Sequence, residues 1–163
     1  MDTTLKAIAS ALLLILSLTL LAACGSSGPV RRISEPTASI QQLEVRADGS
    51  WSLDLRLQNY SSVPMRFDRV DATLAIAGQD AFGVQAAPAI TIGPESADVV
   101  TVALVPPAAA KIAIADALAR GARVSYHLGG NLTTTPDKGN ARTWKLDRDN
   151  ALSPVPGLAG VLR

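Results

Sequence analysis

Alternation of apolar and polar side chains is the feature of this sequence that most limits its fold. From Trp51 to Gln58 every second residue is apolar and the residues between them are polar. Side chains on a β-strand point to opposite faces in turn, so this pattern predicts a strand with one buried face. Further short apolar or alternating segments follow at roughly ten-residue spacing, which predicts a mainly β fold, either a sandwich or a barrel. One such segment, 40–46, precedes Trp51, and the others are 70–76, 82–84, 90–92, 99–104, 124–128 and 142–146.

The connections between these segments predict a hairpin and one helix. Asp48-Gly49 lies between the first two segments, and both residues tolerate the positive φ that a tight antiparallel hairpin needs. After Pro106-Pro107, residues 108–120 have helical spacing and Gly121 follows as a helix-ending residue. We expect this short helix to cross from one sheet to the other. Its predicted buried face is formed by Ile112, Ala115, Leu118 and Ala119.

The start of the chain has the layout of an export signal. An apolar run from Ala7 to Ala23 ends in small residues ahead of Cys24, the sole cysteine, which is typical of a secretory signal peptide. The segment Leu21-Ala22-Ala23-Cys24 resembles the lipobox of bacterial lipoproteins, in which small residues admit the peptidase and the thiol takes the lipid. The resemblance implies cleavage before Cys24, a diacylglycerol on its sulfur and an acyl chain on the new amino group.

Such an anchor would hold the protein at a membrane. Two or more acyl chains, each contributing roughly 0.8 kcal/mol per buried CH₂, bind a bilayer firmly. Gly25 stands where an aspartate would retain a lipoprotein at the inner membrane, which implies the outer membrane, facing the periplasm. Two alternatives stay open. One is an uncleaved membrane helix, for which the apolar run falls short of the ~20 residues needed, and the other is a buried, unreactive thiol.

These motifs divide the chain into four segments. Residues 1–23 form the signal peptide, and residues 24–36 form the lipidated cysteine with a flexible tether rich in Gly, Ser and Pro. Residues 37–149 form the β domain. Residues 150–163 contain too many prolines and glycines for a regular element, so we expect an extended tail, either packed or free.

Charge and residue types argue against several functions. The 15 Lys and Arg residues nearly balance the 14 Asp and Glu residues, so the basic excess of a nucleic-acid-binding protein is missing. His127, the only histidine, alternates toward solvent and no Gly-x-Ser-x-Gly segment accompanies it, so no catalytic site is expected. Asp147 and Asp149 have a spacing found in calcium loops, but the remaining ligands are missing. We therefore expect no metal, and no cofactor beyond the covalent lipid. Trp51 and Trp144 are expected in the core.

A dense group of mixed charges is the candidate surface for a ligand or partner. It consists of Arg66, Asp68, Arg69 and Asp71 and is called the charged patch below. Such a group can hold a polar ligand, but it is also typical of a salt-bridged strand edge, where exposed pairs contribute ~0–1 kcal/mol each and discourage pairing with another strand. Phe67, within this stretch, is expected to share the buried layer of the following strand across a bend or bulge.

Three segments of the β domain carry a family likeness. They are the asparagine-containing turn Leu57–Ser61, the step Val63–Phe67 into a strand, and the turn Ile92–Ser96 before an apolar strand. Together, from Ile40 to Leu146, they resemble the group 2 late-embryogenesis-abundant domain (LEA type 2), also called the water stress and hypersensitive response (WHy) domain. The resemblance implies a seven-stranded sandwich of the immunoglobulin or fibronectin-III type and a role in desiccation or envelope stress without known catalysis.

An anchor joined to a domain without a catalytic constellation predicts a non-enzymatic envelope lipoprotein that acts as a binding or stress-protective module. Its partners would be the membrane, through the lipid, and an envelope protein or lipid. Two other hypotheses stay open. One is an accessory lipoprotein that binds lipid or serves envelope assembly and transport. The other is a small hydrolase built around His127 and the charged patch.

Overall fold

Two antiparallel β-sheets form most of the region that the computed structural model describes, residues 30–163. Among these residues a single helix, α1 (Ala108–Arg120), lies between the sixth and seventh strands. The prediction of a mainly β fold is confirmed. The strands are β1 (Thr37–Val45), β2 (Trp51–Gln58), β3 (Met65–Ile76), β4 (Phe82–Ala86), β5 (Ile90–Ile92), β6 (Ala97–Leu104), β7 (Val124–Pro136), β8 (Arg142–Leu152) and β9 (Val161–Leu162).

The first sheet has the order β6-β2-β1-β9 and is built on the β1–β2 hairpin. The amide of Arg46 donates to the carbonyl of Ser50 at 2.9 Å, and Gly49 takes a φ of 77° in the turn. Asp48 accepts hydrogen bonds from the hydroxyl and the amide of Ser50, which hold the pKa of its carboxyl below the ordinary value. The predicted Asp-Gly hairpin is therefore confirmed.

The second sheet has the order β4-β3-β7-β8, and β5 pairs with the first residues of β3. In its pairing with β7, the long strand β3 carries a bulge between Phe67 and Arg69. The extra residue shifts the alternation by one position, so Phe67 and Val70 both face the core and are 0% and 1% exposed. The expected bend or bulge is confirmed.

The inner faces of both sheets share one apolar core. Trp51 on β2 meets Phe82 on β4 edge to face, with ring centroids 5.9 Å apart, and so joins the two sheets. Trp51 is buried as predicted. Trp144, also expected in the core, is only partly buried, and its ring N–H donates to Thr134 Oγ1 at 2.9 Å.

A buried tyrosine makes a second link between the sheets. The hydroxyl of Tyr126 on β7 accepts a hydrogen bond from the amide of Ile40 on β1 at 3.2 Å. Ile40 borders a register shift in the β1–β2 pairing, so a side chain completes the hydrogen bonding beside this irregularity. Burial raises the pKa of the Tyr126 hydroxyl above its ordinary value, and the bond from Ile40 partly offsets this shift.

Helix α1 spans the residues predicted for it and connects the first sheet to the second. It ends at Gly121, which has a left-handed φ of 60° and an amide that reaches carbonyls of the last turn. The predicted buried face is wrong. Ala110, Ile114 and Ala117 are buried, whereas Ile112 is 70% exposed. The helix is apolar on most sides, so the spacing of its apolar residues does not distinguish one face from another.

The described residues form nine strands rather than the seven that the family resemblance implied. One reason is that β3 is long enough for β4 and β5 to pair along it in succession. The other is the tail: β8 continues to Leu152, and the chain then returns to place Val161–Leu162 against β1. The segment expected to lack regular structure thus covers the end of the β1 edge of the first sheet.

The segment ahead of β1 is attached to the β domain. The amide of Ser34 donates to Ser61 Oγ at 3.0 Å, and the amide of Ser62 donates to the carbonyl of Arg32 at 3.0 Å. These bonds hold the last residues of the tether predicted at 24–36. The predicted signal peptide, Leu21, Ala22 and Ala23 of the lipobox, and Cys24 lie outside the described residues. Among residues 30–163, no helix has the length and apolar character to cross a membrane.

Candidate functional site

The charged patch lies on the outer face of β3. Without the bulge, the 66–68 and 69–71 pairs would face opposite sides of the strand; the bulge brings both pairs to one side. Arg66 Nε lies 3.2 Å from Asp68 Oδ1, and Arg69 Nη2 lies 3.4 Å from Asp71 Oδ2. Each arginine therefore pairs with the aspartate two residues further along the strand.

Neighbouring strands also contribute partners to the patch. Asp68 accepts a hydrogen bond from Thr135 Oγ1 on β7 at 2.7 Å, and Asp71 accepts one from Gln85 Nε2 on β4 at 3.2 Å. Because β3 lies between β7 and the strands β4 and β5, the patch is not on a sheet edge. Exposed pairs of this kind contribute only ~0–1 kcal/mol each, so a polar ligand can exchange with them at small cost.

A second polar group, the His127 cluster, consists of His127, Asp147 and Asp149 on the outer face of β7 and β8. The strand register sets His127 opposite Asp149, and Gly129 opposite Asp147. His127 Nδ1 lies 2.9 Å from Asp149 Oδ1, and one ligand atom from each residue lies within 4.8 Å of the other two. The His127 side chain is 44% exposed, so it faces solvent as predicted.

Lys145 forms an ion pair with Asp147 at one side of this cluster. Its Nζ donates to Asp147 Oδ2 at 3.1 Å. This hydrogen bond and the positive charge of Lys145 hold the pKa of the Asp147 carboxyl below its ordinary value, with His127 acting weakly in the same direction. Asp147 is therefore a carboxylate at neutral pH and offers its charge to a second cation.

Asn59 forms a buried hydrogen-bond centre between two turns. Its Nδ2 donates to the carbonyls of Val63 at 2.9 Å, Ile92 at 3.2 Å and Gly93 at 2.8 Å. Its Oδ1 accepts from the amide of Ser61 at 2.8 Å. The side chain thereby joins the β2–β3 turn to the β5–β6 turn, which is a structural role.

Two recesses lie beside α1. A groove of about 770 Å³ runs between the end of α1, at Leu118, and the proline-rich tail, at Leu158. A smaller apolar recess of about 190 Å³ is lined by Trp51 and Ile114, with Lys111 also in its wall. Both offer apolar surface to an acyl chain or to a partner's side chain.

The sequence model of the late embryogenesis abundant protein family matches residues 54–147. The chain belongs to the late embryogenesis abundant protein family. The family predicted from the three turn and strand segments is thus confirmed. In this late embryogenesis abundant protein the matched region runs from within β2 to within β8, and it contains the charged patch, Asn59 and two members of the His127 cluster.

Several solved structures are similar to this late embryogenesis abundant protein. A solution structure described as that of a late embryogenesis abundant protein is 15% identical, with 91% of this chain and 85% of that chain covered and a TM-score of 0.47. A crystal structure of a protein from Archaeoglobus fulgidus is 13% identical, with coverage of 76% and 98% and a TM-score of 0.44. A solution structure from Arabidopsis thaliana is 12% identical, with coverage of 80% and 84% and a TM-score of 0.44. No curated protein sequence matches the chain.

Sequence reasoning found the charged patch but missed the His127 cluster. His127 and Asp149 are 22 residues apart, and only the register of the β7–β8 hairpin makes them neighbours. A signal was present, because alternation places His127 on the polar face of one strand and both aspartates on the polar face of the next. Pairing the two strands as a hairpin would have brought the three residues to one surface.

Proposed function

We propose that this late embryogenesis abundant protein is a non-enzymatic lipoprotein of the cell envelope that protects the envelope during drying or osmotic stress. The observation that carries the stress-related role is the family match over residues 54–147. The motif Leu21–Cys24 supports a lipid anchor, and Gly25 supports an outer-membrane position facing the periplasm. An immunoglobulin- or fibronectin-III-like arrangement belongs to the proposal, supported by the two antiparallel sheets joined through α1.

The described contacts support action by binding. The charged patch pairs internally and with flanking strands, and its side chains are between 25% and 56% exposed. Both polar atoms of the Asn59 side chain are hydrogen-bonded to backbone groups of two turns, so this side chain is not offered to a partner. We therefore assign the partner surface to the charged patch, Arg66, Asp68, Arg69 and Asp71, where ion pairs open at small cost.

The test compares a deletion strain with strains that express the wild type, Cys24→Ser or Gly25→Asp. Deletion should reduce survival of drying and osmotic shock, and the wild type should restore it. Cys24→Ser should lose radiolabelled palmitate and the membrane fraction, and should fail to restore survival. Gly25→Asp is the matched control for the anchor, since it should keep the label but move the protein to the inner membrane. Unchanged survival of the deletion strain contradicts the protective role, and unchanged fractionation of Cys24→Ser contradicts the anchor.

The groove beside α1 favours a second function, lipid binding in envelope assembly or transport. Its wall combines Leu118 with the apolar residues of the tail, and Leu158 is half exposed there. Native mass spectrometry of the full chain should then show non-covalent lipid, and Leu158→Glu should release it. A mass that shows only the covalent lipid in the wild type contradicts this second function.

A further inference from the structure

The His127 cluster has the donor set of a transition-metal site. An imidazole nitrogen and carboxylate oxygens are ligands for Zn²⁺ and its first-row neighbours, at distances of roughly 2.0–2.2 Å. Two such ligands in adjacent positions around one ion lie about 3 Å apart, and His127 Nδ1 and Asp149 Oδ1 are separated by 2.9 Å. Asp147 comes from the same strand as Asp149, and one ligand atom from each of the three residues lies within 4.8 Å of the other two.

A glycine makes room for the imidazole at this position. A Cβ built on Gly129 would lie 2.8 Å from His127 Nε2, closer than real atoms approach. Gly129 stands opposite Asp147 in the strand register, so its missing side chain lets the imidazole lie toward Asp147. On the β3 side, the neighbours of His127 and Gly129 are the small residues Ala75 and Thr73. The space around the ring is therefore built into the sheet independently of the two carboxylates.

Charge and exposure also suit a cation. Asp147 and Asp149 bring two carboxylates, and Lys145 pairs with only one of them. The side chains of Asp147 and Asp149 are 56% and 85% exposed, so an ion reaches them directly from solvent. The positive charge of Lys145 beside Asp147 opposes a metal ion there, which makes the affinity lower than that of a closed four-ligand site.

We propose that His127, Asp147 and Asp149 bind a divalent first-row transition-metal ion on the outer face of β7 and β8, with water completing its coordination. The imidazole selects transition ions over Mg²⁺ and Ca²⁺, which prefer oxygen ligands alone. The open positions make the ion exchangeable and available to an additional ligand. The site is independent of the lipid anchor and of the protective role.

The experiment is a calorimetric titration of ZnCl₂ into the full, untagged chain in detergent. The wild type should bind one equivalent at this site, and excess Ca²⁺ should not compete. A free Cys24 thiol would bind zinc separately and would do so equally in every variant below. Because His127 is the only histidine, its ring signals in an NMR spectrum should shift as zinc is added.

Four variants locate the site. His127→Ala and Asp149→Asn should each lose about tenfold or more in zinc affinity. Gly129→Ala should weaken binding by displacing the ring while leaving all three ligands present. Asp54→Asn, the same change of charge on a strand of the other sheet, should bind as the wild type does. Unchanged melting temperatures show that these variants fold. The proposal is overturned if His127→Ala or Gly129→Ala retains the wild-type affinity, or if the NMR signals of His127 do not move.

Discussion

A buried asparagine explains how two separate turns keep a common geometry. The carbonyls of Val63, Ile92 and Gly93 converge on Asn59 Nδ2, while its Oδ1 holds the amide of Ser61. Asn59 is fully buried, so water cannot replace these bonds. A short side chain that both donates and accepts is required at this position, which accounts for an asparagine where a turn alone would accept several residues.

Replacement of this side chain should therefore be costly. Asn59→Ala leaves three carbonyls and one amide without their side-chain partner, and we expect a loss of about 3 kcal/mol in the free energy of unfolding. Asn131→Ala, at an exposed position of β7, is the matched control and should change stability by less than about 0.5 kcal/mol. Urea unfolding of both variants measures the difference. Equal stabilities would show that the Asn59 bonds contribute nothing.

The carboxyl of Asp147 gives a prediction about pH. Its pKa is lowered chiefly by the hydrogen bond from Lys145 and then by the charge of that residue. A lowered pKa means that the ionised form is favoured in the folded state, so this stabilisation is present above the unfolded pKa and is lost as pH falls through the folded one. In Lys145→Gln the NMR titration of Asp147 should move to higher pH. The titration of Asp48, whose pKa is lowered by Ser50, should stay in place.

At the scale of elements, helix α1 shows that the local sequence sets the ends of a helix but not which of its faces is buried. Its start after Pro107 and its end before Gly121 follow from local geometry and were predicted correctly. Its buried face depends on which side meets the sheets. Ile114 is 1% exposed and Ile112 is 70% exposed, although the two residues have the same chemistry and lie two positions apart.

These two isoleucines make a matched pair of variants. Ile114→Ala removes a buried side chain and should lower the free energy of unfolding by about 2–5 kcal/mol. Ile112→Ala removes an exposed one and should change it by less than about 0.5 kcal/mol, since alanine is also the better helix former. Thermal and urea unfolding would compare them. A larger loss of stability in Ile112→Ala than in Ile114→Ala would support the buried face that was predicted from the sequence.

The strands were predictable wherever local alternation was regular. The segments from Trp51 to Gln58 and at the Asp48-Gly49 turn show their strand and hairpin directly. Even β5, with three residues, coincides with the predicted segment 90–92, whereas β9 has two residues, was not predicted and exists through its pairing with β1. So short a strand has no periodicity of its own and is specified by tertiary contacts.

The two candidate sites also differ in whether local sequence or strand pairing forms them. The charged patch is continuous in sequence and was found, although its two ion pairs share one face only because of the bulge after Phe67. The His127 cluster joins residues of two strands, so its discovery requires the register that sets His127 opposite Asp149. Long-range register arises from the pairing of complete strands, and a single sequence specifies it only indirectly.

At the scale of the whole molecule, the tail pairs with the last residues of β1, which would otherwise be an exposed edge there. The amide of Val45 donates to the carbonyl of Gly160 at 2.8 Å, and Leu43 pairs with Leu162. Arg163 Nε donates to Gln42 Oε1 at 2.9 Å beside this pairing. An uncovered strand edge invites pairing with another chain, so this pairing leaves less of β1 open to one, while Leu162 adds to the core.

The tail should therefore contribute to the stability of the fold mainly through one buried residue, Leu162. Leu162 is fully buried, and Leu162→Ala should lower the free energy of unfolding by about 2–5 kcal/mol. Leu158, in the same tail, is 50% exposed, so Leu158→Ala should cost less than about 1 kcal/mol. Urea unfolding measures both variants, and light scattering should detect aggregation first in Leu162→Ala because β9 detaches from β1. If both variants unfold at the wild-type urea concentration, the tail does not hold the edge of the sheet, and the core must be complete without it.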